Sequence, residues 1–228
     1  MRIAEIYPSI QGEGALTGTK SVFVRVGGCN LRCGYCDTPY ASWEPEGEEF
    51  SVEEIVDRVV TLGLSHVVLT GGEPMLFAEV VPLSAELCRL GYHVTVETSG
   101  TLYLRVACDL ISISPKLSNS TPPHDVDPVW AVRHDLGRHS PETVRRLVAE
   151  YEYQLKFVID KIQDCPEVEE YLEEFPEIDR ARVMLMPQGT DPAELGEKGR
   201  WLEPYCVEHG LQYCARRQIE WFGPERGT

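Results

Sequence analysis

Strand-like and helix-like stretches alternate along the chain, and this predicts an α/β fold: a partial, open parallel β/α barrel of about six strands. Three observations carry the prediction. First, short alternating or β-branched runs lie at residues 21–26, 66–70, 92–98, 109–114, 153–159, 182–186 and 211–219, with helical stretches between them, as parallel strands with crossover helices require. Second, the repeats number about six, fewer than the eight of a closed barrel. Third, four strand ends carry Gly- or Pro-containing segments in phase: Thr70-Gly71-Gly72, Glu97-Thr98-Ser99-Gly100, Ser114-Pro115-Lys116 and Met186-Pro187-Gln188-Gly189. Ligands of α/β folds bind at the carboxyl ends of the strands, so these four ends mark one candidate rim.

The elements follow in order. Residues 21–26 alternate apolar and polar positions, as a strand does. Ser51-Val52-Glu53-Glu54 is a capping-box pattern, and Ile55, Val56, Val59 and Val60 fall on one face of the helix after it. A helix is expected over about residues 78–90, broken or kinked at Pro82. Ser140-Pro141-Glu142 opens another with a cap residue and a first-turn proline. Residues 117–139, with Pro122, Pro123, Pro128, His124, His134 and His139, read as a long irregular loop whose histidine spacing fits no metal pattern.

The 228 residues suit one domain, 1–228, rather than two. A hydrophobic content of 43% is enough for a core and too high for disorder. A net charge of −16 repels phosphate backbones and anionic membranes, so neither nucleic acid nor membrane is an expected partner. Residues 1–5 lack the basic start and long apolar run of a signal peptide, so a cytoplasmic location is expected. In a reducing compartment, the scattered Cys88, Cys108, Cys165, Cys206 and Cys214 read as inert core or surface thiols.

The other three cysteines stand apart. Cys29, Cys33 and Cys36 are spaced C-x3-C-x2-C in one loop directly after a strand. A closed structural zinc site takes four ligands. A [4Fe-4S] cluster can instead be held by three thiolates with one iron left open. Gly27 and Gly28 let the backbone wrap closely around such a group. Zinc that borrows a distant Cys or His is the alternative reading.

Here the chain resembles the radical S-adenosylmethionine superfamily, whose signature is C-x3-C-x2-C with an aromatic, Tyr35, before the last cysteine. Gly71-Gly72-Glu73-Pro74 matches the superfamily's second motif, which binds the methionine amino group. More narrowly, Tyr7-Pro8-Ser9-Ile10-Gln11-Gly12-Glu13-Gly14 before the first strand, Phe23-Val24-Arg25 within it, Cys36-Asp37-Thr38, Glu97-Thr98-Ser99-Gly100, Ser114-Pro115-Lys116 and the terminal Arg226-Gly227-Thr228 are similar to the 7-carboxy-7-deazaguanine synthase family of the queuosine and deazapurine pathway. The likeness runs nearly end to end and is least over residues 117–139.

The resemblance implies a trimmed barrel, a homodimer, an electron donor of flavodoxin or ferredoxin type, and three bound groups: the [4Fe-4S] cluster, S-adenosyl-L-methionine and Mg2+. The implied reaction is radical-mediated: hydrogen is taken from C6 of 6-carboxy-5,6,7,8-tetrahydropterin, the ring contracts, and ammonia leaves to give 7-carboxy-7-deazaguanine. The implied cofactor contacts are Tyr35, Cys36 and Asp37 near the adenine, Gly72 and Glu73 of the second motif, Ser99 near the ribose or carboxylate, Ser114, Pro115 and Lys116, and Met186, Pro187, Gln188 and Gly189. The implied substrate contacts are Ile10, Gln11, Gly12, Glu13, Arg25, Thr70, Gln218 and Thr228, with Thr38 as the magnesium ligand. Arg25 also makes chemical sense on its own, because a planar guanidinium suits the pterin's carboxylate; its alternative is an inward arginine paired with an acid. Gln218 is a departure. Many family members carry a histidine in the last strand there, and an amide does not titrate near neutrality. Two other classes compete: an activating enzyme for glycyl radicals, which acts on a protein, and a non-catalytic iron–sulfur or zinc module, which has no use for residues 71–74.

Overall fold

The computed structural model describes residues 1–227; Thr228, expected among the substrate contacts, lies outside the described residues. The strands are β1 (Arg2–Ile10), β2 (Lys20–Val26), β3 (Glu48–Glu49), β4 (His66–Gly71), β5 (His93–Thr98), β6 (Leu110–Ile113), β7 (Tyr153–Ile159), β8 (Val183–Pro187) and β9 (Gln212–Tyr213). The helices are α1 (Pro39–Ser42), α2 (Val52–Leu62), α3 (Val80–Arg89), α4 (Pro128–Gly137), α5 (Pro141–Glu150), α6 (Cys165–Glu174), α7 (Pro192–Glu208) and α8 (Arg217–Phe222). They build one sheet, ordered β3-β1-β2-β4-β5-β6-β7-β8-β9. From β2 onward the pairs are parallel. β1 pairs antiparallel with both β2 and β3. The sheet is therefore the expected open α/β barrel, with seven parallel strands rather than about six and an antiparallel edge that sequence reading left out.

That edge is where residues 7–10 sit: in β1, not in a loop before the first strand. Pro8 hid the strand. It is tolerated because β3 reaches only Arg2 and Ile3, so β1 is an open edge at Pro8.

Each strand divides its side chains by period two. Val24, Leu69, Val96, Ile113, Phe157 and Leu185 face outward and are almost wholly buried. They pack with Ile55 and Val59 of α2, Leu83 and Leu87 of α3, Leu147 of α5, Val168 of α6 and Leu202 of α7. Burying a side chain of this size contributes ~1.5–3 kcal/mol over leaving it exposed, so this layer between sheet and helices holds the fold. The inward face is free to carry polar chemistry.

Several elements differ from expectation. The Ser51 capping box forms as read, but Val60 is 50% exposed and lies off the buried face. Pro82 neither breaks nor kinks a helix: it is the third residue of α3, where the missing N–H has no partner to lose. Residues 117–139 are not one irregular loop. They contain a short 3-10 turn and α4, capped by Asp127, whose carboxylate accepts the Trp130 N–H. The strand expected at residues 211–219 is only Gln212–Tyr213, and residues 217–222 are helical. Gln218 therefore sits on α8. None of the eight cysteines is in a disulfide, and among the described residues no helix is long and apolar enough to cross a membrane.

Candidate active site

The inward side chains line a cavity of about 370 Å³ inside the barrel. Strand phase decides which residues reach it. Phe23 and Arg25 of β2, Val68 and Thr70 of β4, Glu97 of β5, Ser112 of β6, and Lys156 and Val158 of β7 all do. The phase continues past the strand ends. Ser114 and Lys116 line the cavity, and Pro115 between them does not; Met186 and Gln188 do, and Pro187 and Gly189 do not. The four expected cofactor segments are thus on the rim, but only alternate residues of two of them face it. Lys116 points inward as expected, its Nζ held at 2.8 Å by both the carbonyl and the hydroxyl of Ser114.

The loop after β2 brings Cys29, Cys33 and Cys36 onto one wall, with Tyr35, Asp37 and Thr38 beside them. Three outside contacts hold this loop. The Gly34 N–H donates to the Ser120 carbonyl at 2.8 Å, the Arg32 N–H to Nδ1 of His134 at 3.2 Å, and the indole of Trp43 to the Cys33 carbonyl at 3.0 Å. His134 is fully buried, its Nε2 2.8 Å from the Ser120 hydroxyl, and burial pulls its ring down to about 4. A histidine expected on a solvated loop is a neutral brace for the cluster loop. His124 is exposed, and His139 meets Glu174 at 2.9 Å, so the three histidines do not gather.

Burial pushes the Cys29 thiol up to about 11 and Cys33 up to about 12. A metal cluster would take all three cysteines as thiolates. Among the described residues no three His, Cys, Asp or Glu side chains converge on a single ion. Three separate thiols around one wall suit a polynuclear cluster, each iron taking one sulfur, better than one zinc. The backbone is thinned to match: a Cβ on Gly72 would run into the carbonyl oxygens of Gly28 and Ala41. The residues present fit the group.

Glu73 does not touch the cavity. It is 0% exposed and braces two strand ends: its carboxylate accepts from the Thr98 hydroxyl at 2.8 Å, the Ser99 N–H at 2.8 Å and the Met75 N–H at 3.0 Å. Of this pair of expected cofactor contacts, Ser99 and not Glu73 lines the cavity.

The residues expected on the substrate side line the same cavity. Ile10, Gln11, Gly12 and Glu13 line the cavity at the end of β1. Gly12 is needed because α8 crosses it: a Cβ would come within 2.5 Å of the Gln218 backbone nitrogen. Gln218 donates to Glu13 at 2.5 Å, while its Oε1 is buried with no partner, an acceptor left open for a ligand. Arg25 lines the cavity but is already engaged, donating to Glu5 at 2.9 Å and to the Tyr7 hydroxyl at 2.8 Å. Thr38 caps α1 by position, yet its hydroxyl makes no capping bond and faces the cavity.

Two participants, Lys156 and Arg216, were not among the expected site residues. Lys156 is 4% exposed and bridges Glu13 at 3.1 Å and Glu97 at 2.8 Å. Arg216 pairs with Asp37 and Glu13 and donates to the Gly189 carbonyl at 2.5 Å. The tail from Gly223 to Gly227 also lines the cavity, fixed by Arg226 to Glu5 at 2.7 Å and Glu46 at 2.8 Å. A lysine amid apolar neighbours in Gln154-Leu155-Lys156-Phe157-Val158 was the available signal, since such a strand position is costly unless the ammonium is paired. Around Glu13, burial would raise the carboxyl, but the charges of Lys156 and Arg216 outweigh it and hold Glu13 down at about 2.

Residues 23–152 match the Radical SAM superfamily. The chain is 47% identical to a 7-carboxy-7-deazaguanine synthase of Rhodopirellula baltica, over 99% of this chain and 88% of that one. It is 44% identical to another of Halobacterium salinarum, over 95% and 88%. Among solved structures, QueE from Escherichia coli shares the fold, with a TM-score of 0.70 and 22% identity over 95% of this chain and 93% of that one. The chain belongs to the 7-carboxy-7-deazaguanine synthase family within the radical SAM superfamily.

Proposed function

We propose that the chain converts 6-carboxy-5,6,7,8-tetrahydropterin to 7-carboxy-7-deazaguanine with loss of ammonia, using S-adenosyl-L-methionine and a [4Fe-4S] cluster on Cys29, Cys33 and Cys36. The observation that carries it is that one cavity is lined both by the three thiols of Cys29, Cys33 and Cys36 and by the charged, hydrogen-bonding groups of Glu13, Arg25, Glu97 and Lys156. The cluster, when bound, supplies the electron that cleaves the cofactor into a radical. The rest is the work of side chains. Glu13, kept ionised, is an acceptor for the pterin's amino and ring N–H groups, and the open Oε1 of Gln218 is another. Arg25, with Thr70 beside it in the sheet, faces the carboxylate. Lys116, Ser99 and Ser114 surround the cofactor's polar groups, and Glu73 keeps Ser99 in place. Pro115, Pro187 and Gly189 lie between or beside residues that line the cavity, and the Gly189 carbonyl accepts from Arg216.

The Thr38 hydroxyl, which makes no helix-capping bond and lies 3.8 Å from the Cys36 sulfur, supports Mg2+ there, completed by water and substrate oxygens. A homodimer, a flavodoxin- or ferredoxin-like electron donor and a cytoplasmic location belong to the same reading. The test is an anaerobic assay of reconstituted protein with the carboxytetrahydropterin, read by mass spectrometry. Product lighter than substrate by one ammonia is expected. Cofactor cleavage without that product would overturn the reading.

A further inference from the structure

We infer that Lys156 and Glu97 are the acid–base pair that expels ammonia after ring contraction, a role that rests on the function proposed above. The reaction has two halves. The radical half moves hydrogen atoms. The second half is an ordinary elimination, and the cavity must supply a base for a proton on carbon and an acid for the departing nitrogen.

The geometry selects the pair. Lys156 lies deep in the barrel on β7, and its Nζ touches two carboxylates, Glu13 at 3.1 Å and Glu97 at 2.8 Å. These carboxylates are unlike each other. Glu13 also faces Arg216 at 3.3 Å and the Gln218 amide at 2.5 Å. Its charge is shared by two cations and an amide, which makes it a fixed acceptor and a poor base. Glu97 has one cation, Lys156, and one hydroxyl, Thr70 at 2.9 Å. Its side chain is also the more open to the cavity, 33% exposed against 20% for Glu13. Glu97 is therefore the carboxylate free to take a proton.

The elimination balances on these two groups. A C–H bond breaks on the carbon next to the amine-bearing carbon, and its proton goes to the Glu97 carboxylate. The C–H electron pair forms a C=C bond. The C–N bond breaks, its pair leaves with nitrogen, and nitrogen takes a proton from the Lys156 ammonium, departing as ammonia. The order has a physical cause. Burial disfavours the Lys156 charge, but Glu97 and Glu13 more than offset this and hold the ammonium well above its usual range. Protonating Glu97 removes one of those two anions and makes Lys156 a competent acid at that moment. The proton then passes from Glu97 to Lys156 across their 2.8 Å hydrogen bond, and the pair is reset.

The experiment uses the reconstituted enzyme, S-adenosyl-L-methionine and carboxytetrahydropterin deuterated at C6, with Lys156→Met, Lys156→Arg, Glu97→Gln and Glu97→Asp beside wild type. Two steps are followed separately: deuterium passed to the cofactor fragment, and carboxydeazaguanine released. Lys156→Met and Glu97→Gln are expected to lower product release by ~100-fold or more, a loss well beyond any fall in deuterium transfer or in calorimetric pterin affinity. A species that still contains the ammonia nitrogen accumulates, and Lys156→Arg and Glu97→Asp restore part of the release. The inference is overturned if release survives in both variants, or if it falls only in step with deuterium transfer and pterin affinity, the mark of a holding role. Wild type that binds the pterin and forms no carboxydeazaguanine overturns the proposed function; wild type and variants that all release it overturn the acid–base pair alone.

Discussion

The Arg25 guanidinium donates to Glu5 at 2.9 Å, and the same carboxylate receives Arg226 from the C-terminal tail at 2.7 Å. Glu5 thus joins Arg25 of β2 to the C-terminal tail that lines the same cavity. Because Glu5 keeps Arg226, removing Arg25 does not leave it without a cation. Arg25→Ala is expected to cost little stability but to weaken pterin binding by ~2–4 kcal/mol, the range for a lost charge-assisted pair. Cofactor cleavage without substrate should persist. Calorimetric pterin affinity checks it, and an unchanged value assigns Arg25 to structure alone.

Among the described residues, the cysteines that line the cavity are Cys29, Cys33 and Cys36. Cys33→Ala should abolish cluster binding and turnover. Alanine at Cys88, Cys108, Cys165, Cys206 or Cys214 should leave iron and sulfide counts at the wild-type value. Metal analysis of the reconstituted variants reads this directly.

Glu73 satisfies the Thr98, Ser99 and Met75 donors from a fully buried position. Glu73→Gln replaces an acceptor oxygen with an amide donor facing other donors. Each buried group left unmatched costs ~1–3 kcal/mol, so stability in denaturant titration should fall by about that much or more, and cofactor affinity should fall with it. Wild-type stability in this variant would show that Glu73 is not the brace described.

His134 accepts the Arg32 N–H on Nδ1, so the folded protein binds the neutral ring, and burial holds it down at about 4. An unfolded histidine titrates near ~6.5. The folded state is favoured fully above that value, and the advantage is lost as pH falls from about 6.5 toward 4, where only the unfolded chain takes the proton. His134→Gln should flatten the stability–pH curve in that window. Parallel wild-type and variant curves would remove His134 as its cause.

Thr38→Ala should lower turnover and blunt its dependence on magnesium, whereas Thr38→Ser keeps the oxygen and most of the rate, with the cluster intact in both. A lone hydroxyl is a poor magnesium site, so the ion should bind well only beside the anionic substrate. Rates against magnesium after chelation decide it. If the alanine variant responds to magnesium as wild type does, the ion lies elsewhere.

The sequence by itself determined what depends on local spacing and pattern. The three-cysteine loop, the glycines after β4, the capping box of α2 and the strand–helix alternation each occupy a short stretch whose chemistry is complete within it. Tertiary structure decided what depends on phase, closure or a distant partner. Whether Pro115 or Lys116 faces the cavity is a question of strand register, because side chains alternate and one residue's shift reverses them. Glu73 and His134 read as something else alone and Lys156 drew no reading, because a buried polar group takes its role from the partners that satisfy it, and one partner of each lies far off in the chain: the Thr98 hydroxyl 25 residues from Glu73, Glu97 59 from Lys156 and Arg32 102 from His134. Gln218 reached the cavity from a helix rather than from the expected strand, because β9 ends after two residues and α8 packs down on Gly12, the one residue type thin enough to receive it.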